Sequence, residues 1–328
     1  MNTLGAAEQT LHRLEWTVLR RLDGLLQGDH RTVLRGVGLD LADLREYQGG
    51  DDVRHIDWNV TARLQQPHVR VYTEDRELSA WFLIDLSASL DFGSGQRPKR
   101  AQLVDFTAVL ARLLTRHGNR VGALLYDGEV RAILPPGASR SHVLRLLHLL
   151  SAHPDSPAAD SGPTRLQDLL KAANHLLRRR SAVFLLSDFI SEPGWERPYT
   201  HLTQRHDVVA VRLYDPLEQQ LPDLGLLPLQ DAETGEVLLV DTQDPVFRER
   251  FARLAAQRED ALRDTLARAG ADTLELAADE ELLPALLRFV QLRQARARRG
   301  RVNPGGASRA SAPIPRSARL RLVAREAA

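Results

Sequence analysis

From Ser79 onward the chain alternates short, uninterrupted apolar segments with amphipathic stretches at helical spacing, and this alternation restricts the fold more than any other feature of the sequence. The apolar segments are Ala80–Asp85, Val121–Tyr126, Val130–Leu134, Ala182–Ser187, Val208–Leu213 and Thr273–Leu276. Between and after them run Lys99–Arg116, Ser141–Leu150, Arg165–Leu177, Pro198–Gln204, Pro245–Ala269 and Glu280–Arg293, each with apolar residues recurring at helical intervals. Strands that are apolar at most consecutive positions have both faces to cover, so the expected fold is α/β, a mainly parallel, doubly wound sheet with helices on both sides. Val121–Tyr126 and Val130–Leu134 are joined only through Asp127-Gly128 and its neighbours, which predicts an antiparallel hairpin and hence one antiparallel edge strand.

The flanking regions obey other rules. Leu11, Leu14, Val18, Leu22 and Leu25 predict an N-terminal helix over Glu8–Leu26, stopped at Gly28. Residues 29–78 are polar and punctuated by glycine, which predicts an irregular subdomain with short strands such as Val69–Tyr72. The expected organisation is therefore an N-terminal helix and irregular region at 1–78, the α/β domain at 79–298, and a tail at 299–328. Within the α/β domain, residues 215–243 carry Pro216, Pro222, Gly225, Pro228 and Gly235 and read as an insertion with turn chemistry. The tail is rich in Gly, Pro, Ser, Ala and Arg, a composition expected to remain disordered.

Composition removes several classes of function. The 328 residues include no cysteine, so disulfides, thiolate catalysis and cysteine-held metals are excluded, and any metal must use oxygen or histidine ligands. The formal charge is only +1, which argues against a dedicated nucleic-acid binder. That balance conceals a division: from Arg293 onward there are ten arginines against one acid, Glu326, and the rest of the chain is net acidic. Lys99 and Lys171 are the only lysines, so arginine is the general-purpose cation here. No apolar run reaches the roughly 18–20 residues of a membrane span, and Glu8 and Glu15 interrupt any leader-like stretch, so no transmembrane segment and a cytoplasmic location are expected.

The residues with chemical potential gather after strands. Asp85-Leu86-Ser87-Ala88-Ser89 follows the first apolar segment, Thr164 stands at the start of a helix, and Ser187-Asp188 closes another strand. In an open parallel sheet, loops beyond the carboxyl ends of the strands converge on the ligand site. A carboxylate and two hydroxyls at alternate positions suit a hard cation such as Mg²⁺, which takes oxygen ligands and few carboxylates. Thr164 could equally be a simple helix cap and Asp188 an ordinary loop acid. Gly93-Ser94-Gly95 lacks the Gly-Lys-Ser/Thr of a phosphate loop.

These three loops together resemble the von Willebrand factor A fold and its metal-ion-dependent adhesion site. The resemblance implies that Asp85, Ser87, Ser89, Thr164 and Asp188 surround one Mg²⁺ or Mn²⁺, with the hydroxyls coordinating largely directly. A second resemblance covers most of the chain. Asp43-Leu44-Arg45-Glu46-Tyr47, Gly50-Asp51-Asp52-Val53-Arg54-His55-Ile56-Asp57-Trp58, Thr61-Ala62-Arg63 and Glu74-Asp75-Arg76-Glu77-Leu78 resemble the signature of the bacterial domain-of-unknown-function family fifty-eight (DUF58). So do Tyr214-Asp215-Pro216-Leu217-Glu218, Leu221-Pro222 and Glu233-Thr234-Gly235-Glu236 in the insertion. Many members of that family carry membrane helices ahead of the signature, a feature that does not transfer to this sequence. The block Arg45–Arg63 has neither helical nor strand period and reads either as an ion-paired irregular subdomain or as a partner surface.

The leading functional expectation is a non-enzymatic, metal-dependent protein-interaction module, whose cation accepts an acidic residue from a partner. The family resemblance implies a MoxR-type AAA+ ATPase and a client protein complex as partners, with any ATP chemistry belonging to the ATPase. A metal-assisted hydrolase is the alternative, and it requires a general base for which only His117 and His153 offer themselves. A third reading gives the arginine-rich tail a contact with nucleic acid or an acidic surface.

Overall fold

The computed structural model describes residues 8–12, 43–47, 56, 58–71, 79–93, 97–152, 164–230, 237–289 and 291. The expected helix at Glu8–Leu26, most of the DUF58-like signature and the tail lie largely or wholly outside these residues. Residues 8–12 are helical. β1 (Asp43–Glu46) and β2 (His68–Val71) form an antiparallel ribbon in which Asp43 stands opposite Val71. Between them lies α1 (Trp58–Leu64), in a block where the sequence showed no period. Seven residues make only two turns, too few for an apolar stripe to repeat.

The main sheet begins with β3 (Ser79–Asp85), followed by α2 (Lys99–Arg116), β4 (Arg120–Asp127) and β5 (Glu129–Gly137). Next come α3 (Arg140–Ser151), α4 (Leu166–Leu176), β6 (Ala182–Ser187), α5 (Glu196–Arg205) and β7 (Asp207–Tyr214). A separate ribbon, β8 (Leu226–Gln230) with β9 (Val237–Asp241), precedes α6 (Pro245–Arg268), β10 (Asp272–Ala277) and a last helix at residues 282–289. The six-stranded sheet has the order β10-β7-β6-β3-β4-β5, and every pairing is parallel except β4 with β5.

The expected α/β sheet with one antiparallel edge strand is thus present, and the edge hairpin turns through Gly128 at a positive φ of 68°. β5 runs past Leu134 through Pro135 and Pro136, which an edge strand tolerates because its outer side needs no N–H donor. α3 is capped by Ser139, whose Oγ accepts the His142 N–H at 3.0 Å.

The strand register explains why the segments read as continuous apolar runs. Along β3, Ala80, Phe82 and Ile84 face one side with Phe106 of α2 and Leu146 of α3. Trp81 and Leu83 face the other, with Leu169 of α4 and Tyr199 of α5. Phe82 and Phe184 stack across neighbouring strands with ring centroids 5.4 Å apart. Leu11 is fully buried in the first of these clusters, so the helical stretch at residues 8–12 shares the core of the main domain.

One expectation needs correction. The insertion at 215–243 contains an antiparallel ribbon, Leu226 opposite Asp241 and Gln230 opposite Val237, where the sequence signalled only turns. Pro228 argues against a strand when read alone, but among the described strands β8 pairs only with β9, and an edge strand tolerates a proline.

Candidate functional site

β3 lies between β4 and β6, so chain connections leave it in opposite directions and a crevice opens beyond the ends of β3 and β6. Such a switch point is where an open parallel sheet receives ligands. Asp85 ends β3 and Ser187-Asp188 end β6, and the register sets Ile84 beside Leu186, so the two polar ends coincide.

Asp85 is fully buried and its two oxygens are held separately. Oδ1 accepts the Ser87 N–H at 3.0 Å, and Oδ2 accepts the Ser187 hydroxyl at 2.7 Å. The Ser87 and Ser89 hydroxyls are 3.1 Å apart, at the entry to a 3₁₀ turn over Ala88–Asp91. Ser187 Oγ also accepts the Phe189 N–H at 2.9 Å, and Phe189 takes a φ of 60°, a conformation unusual for a side-chain-bearing residue. The loop after β6 is therefore bent sharply at the residue following Asp188. Burial, and after it the negative charge of Asp188, push the Asp85 carboxyl up to about 6, against the hydrogen bonds from Ser187 and Ser87 that pull it down.

Asp188 has a second neighbour that sequence reasoning passed over. Its Oδ1 accepts the Ile190 N–H at 3.0 Å, while Oδ2 receives Lys99 Nζ at 2.8 Å. Lys99 opens α2, is wholly buried, and also donates to Glu218 Oε1 at 2.5 Å. Burial alone would lower the Lys99 ammonium, but the charges and hydrogen bonds of Asp188 and Glu218 outweigh it and hold it above its ordinary value. Glu218 in turn accepts the Asp215 N–H on Oε2 at 3.1 Å, and Asp215 accepts the Leu217 N–H at 2.9 Å, a capping box at the start of the insertion. The signal for Lys99 was available: it is one of two lysines in a chain that otherwise uses arginine. The lysine supplies a compact ammonium on a flexible stem, whose separate N–H donors reach the two carboxylates at once.

Thr164 is buried beside this crevice, although it does not cap α4. Arg165 is the capping residue, and the Leu166 N–H is satisfied instead by Ser191 Oγ at 2.9 Å. The Thr164 carbonyl accepts both the Ser191 hydroxyl and the Glu192 N–H, each at 3.0 Å, so the loop before α4 is tied to the loop after Asp188. Tyr126, at the end of β4, completes the wall: the Leu86 N–H donates to its carbonyl at 2.7 Å. Burial, then the charge of Asp168, push its phenol up to about 12, and Asp85 adds to the effect.

Among the described residues no three His, Cys, Asp or Glu side chains gather as a metal cluster. His117 closes α2 at the end opposite Lys99, about 27 Å along the helix, with Nδ1 2.7 Å from the Leu113 carbonyl. His153 lies outside the described residues. No helix among the described residues is long and apolar enough to cross a membrane.

The fold and this crevice define the chain as an α/β protein whose polar loops meet at a sheet switch point. More particularly, it belongs to the family described as protein of unknown function DUF58, whose family model matches residues 43–261. Uncharacterized proteins of Mycobacterium bovis and Mycobacterium tuberculosis are each 39% identical to it over 284 residues, covering 87% of this chain and 89% of theirs. An uncharacterized protein of Mycobacterium avium is 33% identical over 168 residues, 51% of this chain and 98% of its own length. Among solved structures, the conserved hypothetical protein BatB from Bacteroides thetaiotaomicron is similar with a TM-score of 0.44 and 15% identity, over 67% of this chain and 99% of that one. An aerotolerance-related membrane protein from Bacteroides fragilis gives a TM-score of 0.44 and 12% identity, over 66% of this chain and 99% of its own.

Proposed function

We propose that the protein is a non-enzymatic, metal-dependent interaction module of the von Willebrand factor A type. In this reading Asp85, Ser87, Ser89, Thr164 and Asp188 hold one Mg²⁺ or Mn²⁺. The observation that carries it is the meeting of a buried Asp85 with the Ser87 and Ser89 hydroxyls at the switch point, where Asp188 repels its charge. A carboxylate forced upward by burial and by a second acid is relieved by a divalent cation, and hydroxyls with few carboxylates are a donor set that Mg²⁺ accepts. When bound, the ion would supply an electrophilic centre for an acidic side chain of a partner.

The protein's own groups set the charge of that centre. Lys99 neutralises much of Asp188, which leaves Asp85 as the main anionic anchor. A divalent ion on that anchor keeps net positive charge, and this favours an acid from outside. Ser187 fixes the Asp85 carboxylate from the neighbouring strand, so the anchor stays oriented without the ion. The resemblance set out above makes a MoxR-type AAA+ ATPase and its client complex the partners. The distance of His117 from the crevice weighs against the hydrolase alternative.

The test is co-purification of a MoxR-type ATPase and its clients on the wild-type protein and on Asp85→Ala, each in Mg²⁺ and in chelator. The expected result is retention by the wild type in Mg²⁺ alone. Equal retention by the alanine variant would overturn the reading.

A further inference from the structure

The β8–β9 ribbon is built unlike the rest of the molecule. Leu226, Val237 and Leu239 are 60–65% exposed on one face, and on the other Leu238 is 64% exposed while Val240 is turned inward, only 6% exposed. Cross-strand partners share a face, so Leu226, Pro228, Val237 and Leu239 form one outward apolar surface. The two edges of the ribbon differ. β8 carries Pro228, a residue that blunts an edge, but β9 reads Val237-Leu238-Leu239-Val240-Asp241 with no proline and its one charge at the last position, and among the described strands it pairs only with β8. Edges of this kind recruit another strand unless they are covered.

Charge narrows what can cover it. Between Arg212 and Arg248 the chain holds Asp215, Glu218, Asp223, Asp231, Glu233, Glu236, Asp241 and Asp244 and not one Lys, Arg or His. A second copy of the same ribbon would bring like charges together. A basic strand with alternate aliphatic residues would fit, and the chain contains one: Arg319-Leu320-Arg321-Leu322-Val323, within the part that holds ten arginines against one acid. The reach is sufficient. From residue 291 to residue 319 an extended chain spans roughly 90 Å, whereas a domain of about 220 residues has a radius of gyration near 17 Å.

We propose that residues 319–323 add as a strand to the open edge of β9 in the same molecule. Main-chain hydrogen bonds to β9 supply the pairing, Leu320 and Leu322 extend the apolar surface of Val237 and Leu239, and the arginines meet the acidic insertion. Tethering raises the local concentration of the segment to roughly millimolar, so a weak strand contact suffices. This inference is independent of the metal reading.

Hydrogen exchange on the full-length protein tests it. The amides of residues 237–241 should exchange at least tenfold more slowly in the wild type than in the full-length double variant Leu320→Asp/Leu322→Asp. Leu239→Asp, at an exposed position of the ribbon, should release the same amides, and high salt should weaken the protection. Unchanged exchange in the double variant would overturn the proposal. Protection that grows with protein concentration would put another molecule's segment there and overturn the intramolecular seating.

Discussion

Lys99 and Asp188, 89 positions apart in the chain, meet with Nζ 2.8 Å from Oδ2 and with neither side chain exposed to solvent. The contact joins the start of α2 to the loop after β6, and through Glu218 it reaches the start of the insertion. A buried ammonium shared by two carboxylates makes the crevice and the insertion mechanically one unit.

Lys99→Met removes the cation and leaves Asp188 and Glu218 facing each other. Breaking a buried pair from one side costs roughly 3–5 kcal/mol, and urea denaturation should show a loss of that order. A loss below about 1 kcal/mol, the range of exposed pairs, would show that the bridge is not formed.

Mg²⁺ or Mn²⁺ should raise the melting temperature of the wild type and not that of Asp85→Ala. An ion at about a hundred times its dissociation constant adds about 2.7 kcal/mol to the native state. Identical melting in saturating ion and in chelator would remove the metal from the account.

His206 should make the protein sensitive to mild acid. The residue is 4% exposed, and neither ring nitrogen has a hydrogen-bond partner among the described residues. Burial, then the charges of Arg205, Arg180 and His201, lower its pKa from 6.5 to about 4. Above pH 6.5 the ring is neutral in both states; between 6.5 and about 4 only the unfolded chain binds the proton, so stability falls as pH falls through that window. His206→Phe should flatten this part of the stability curve relative to the wild type, by on the order of 3 kcal/mol at most.

Gly122→Ala should strain the core beneath the indole of Trp81. A Cβ at this position would meet Trp81 ring atoms at 2.9–3.0 Å, and overpacking of this kind costs roughly 1–3 kcal/mol. Trp81 lies across from Gly122 in the register of β3 and β4, so a change in tryptophan fluorescence should accompany the loss.

The elements of the main sheet were legible because their pattern is a local consequence of burial. Lys99–Arg116 and Ala182–Ser187 have the expected bounds, since a strand covered on both faces must be apolar throughout and a covering helix must repeat its apolar face. The candidate residues Asp85, Ser87, Ser89 and Asp188 were legible for a related reason: polar groups directly after buried strands stand at the rim of a sheet. α1 and the β8–β9 ribbon were not legible, one being too short to repeat a pattern and the other carrying a proline whose harmlessness depends on which edge it occupies.

What only the tertiary structure decided is adjacency between strands distant in sequence. Nothing in the order of residues says that β6 sits beside β3, with β4 and the hairpin to the other side. That choice brings Ser187 onto Asp85, sets the charge of Asp188 against it, and draws Lys99 and Glu218 into the same buried network. The sequence by itself determined which segments would be strands and helices and which ends would be polar, because those follow from the solvation of each segment. Which polar ends would meet depended on how the faces packed, a property of pairs of segments that no single stretch of the chain contains.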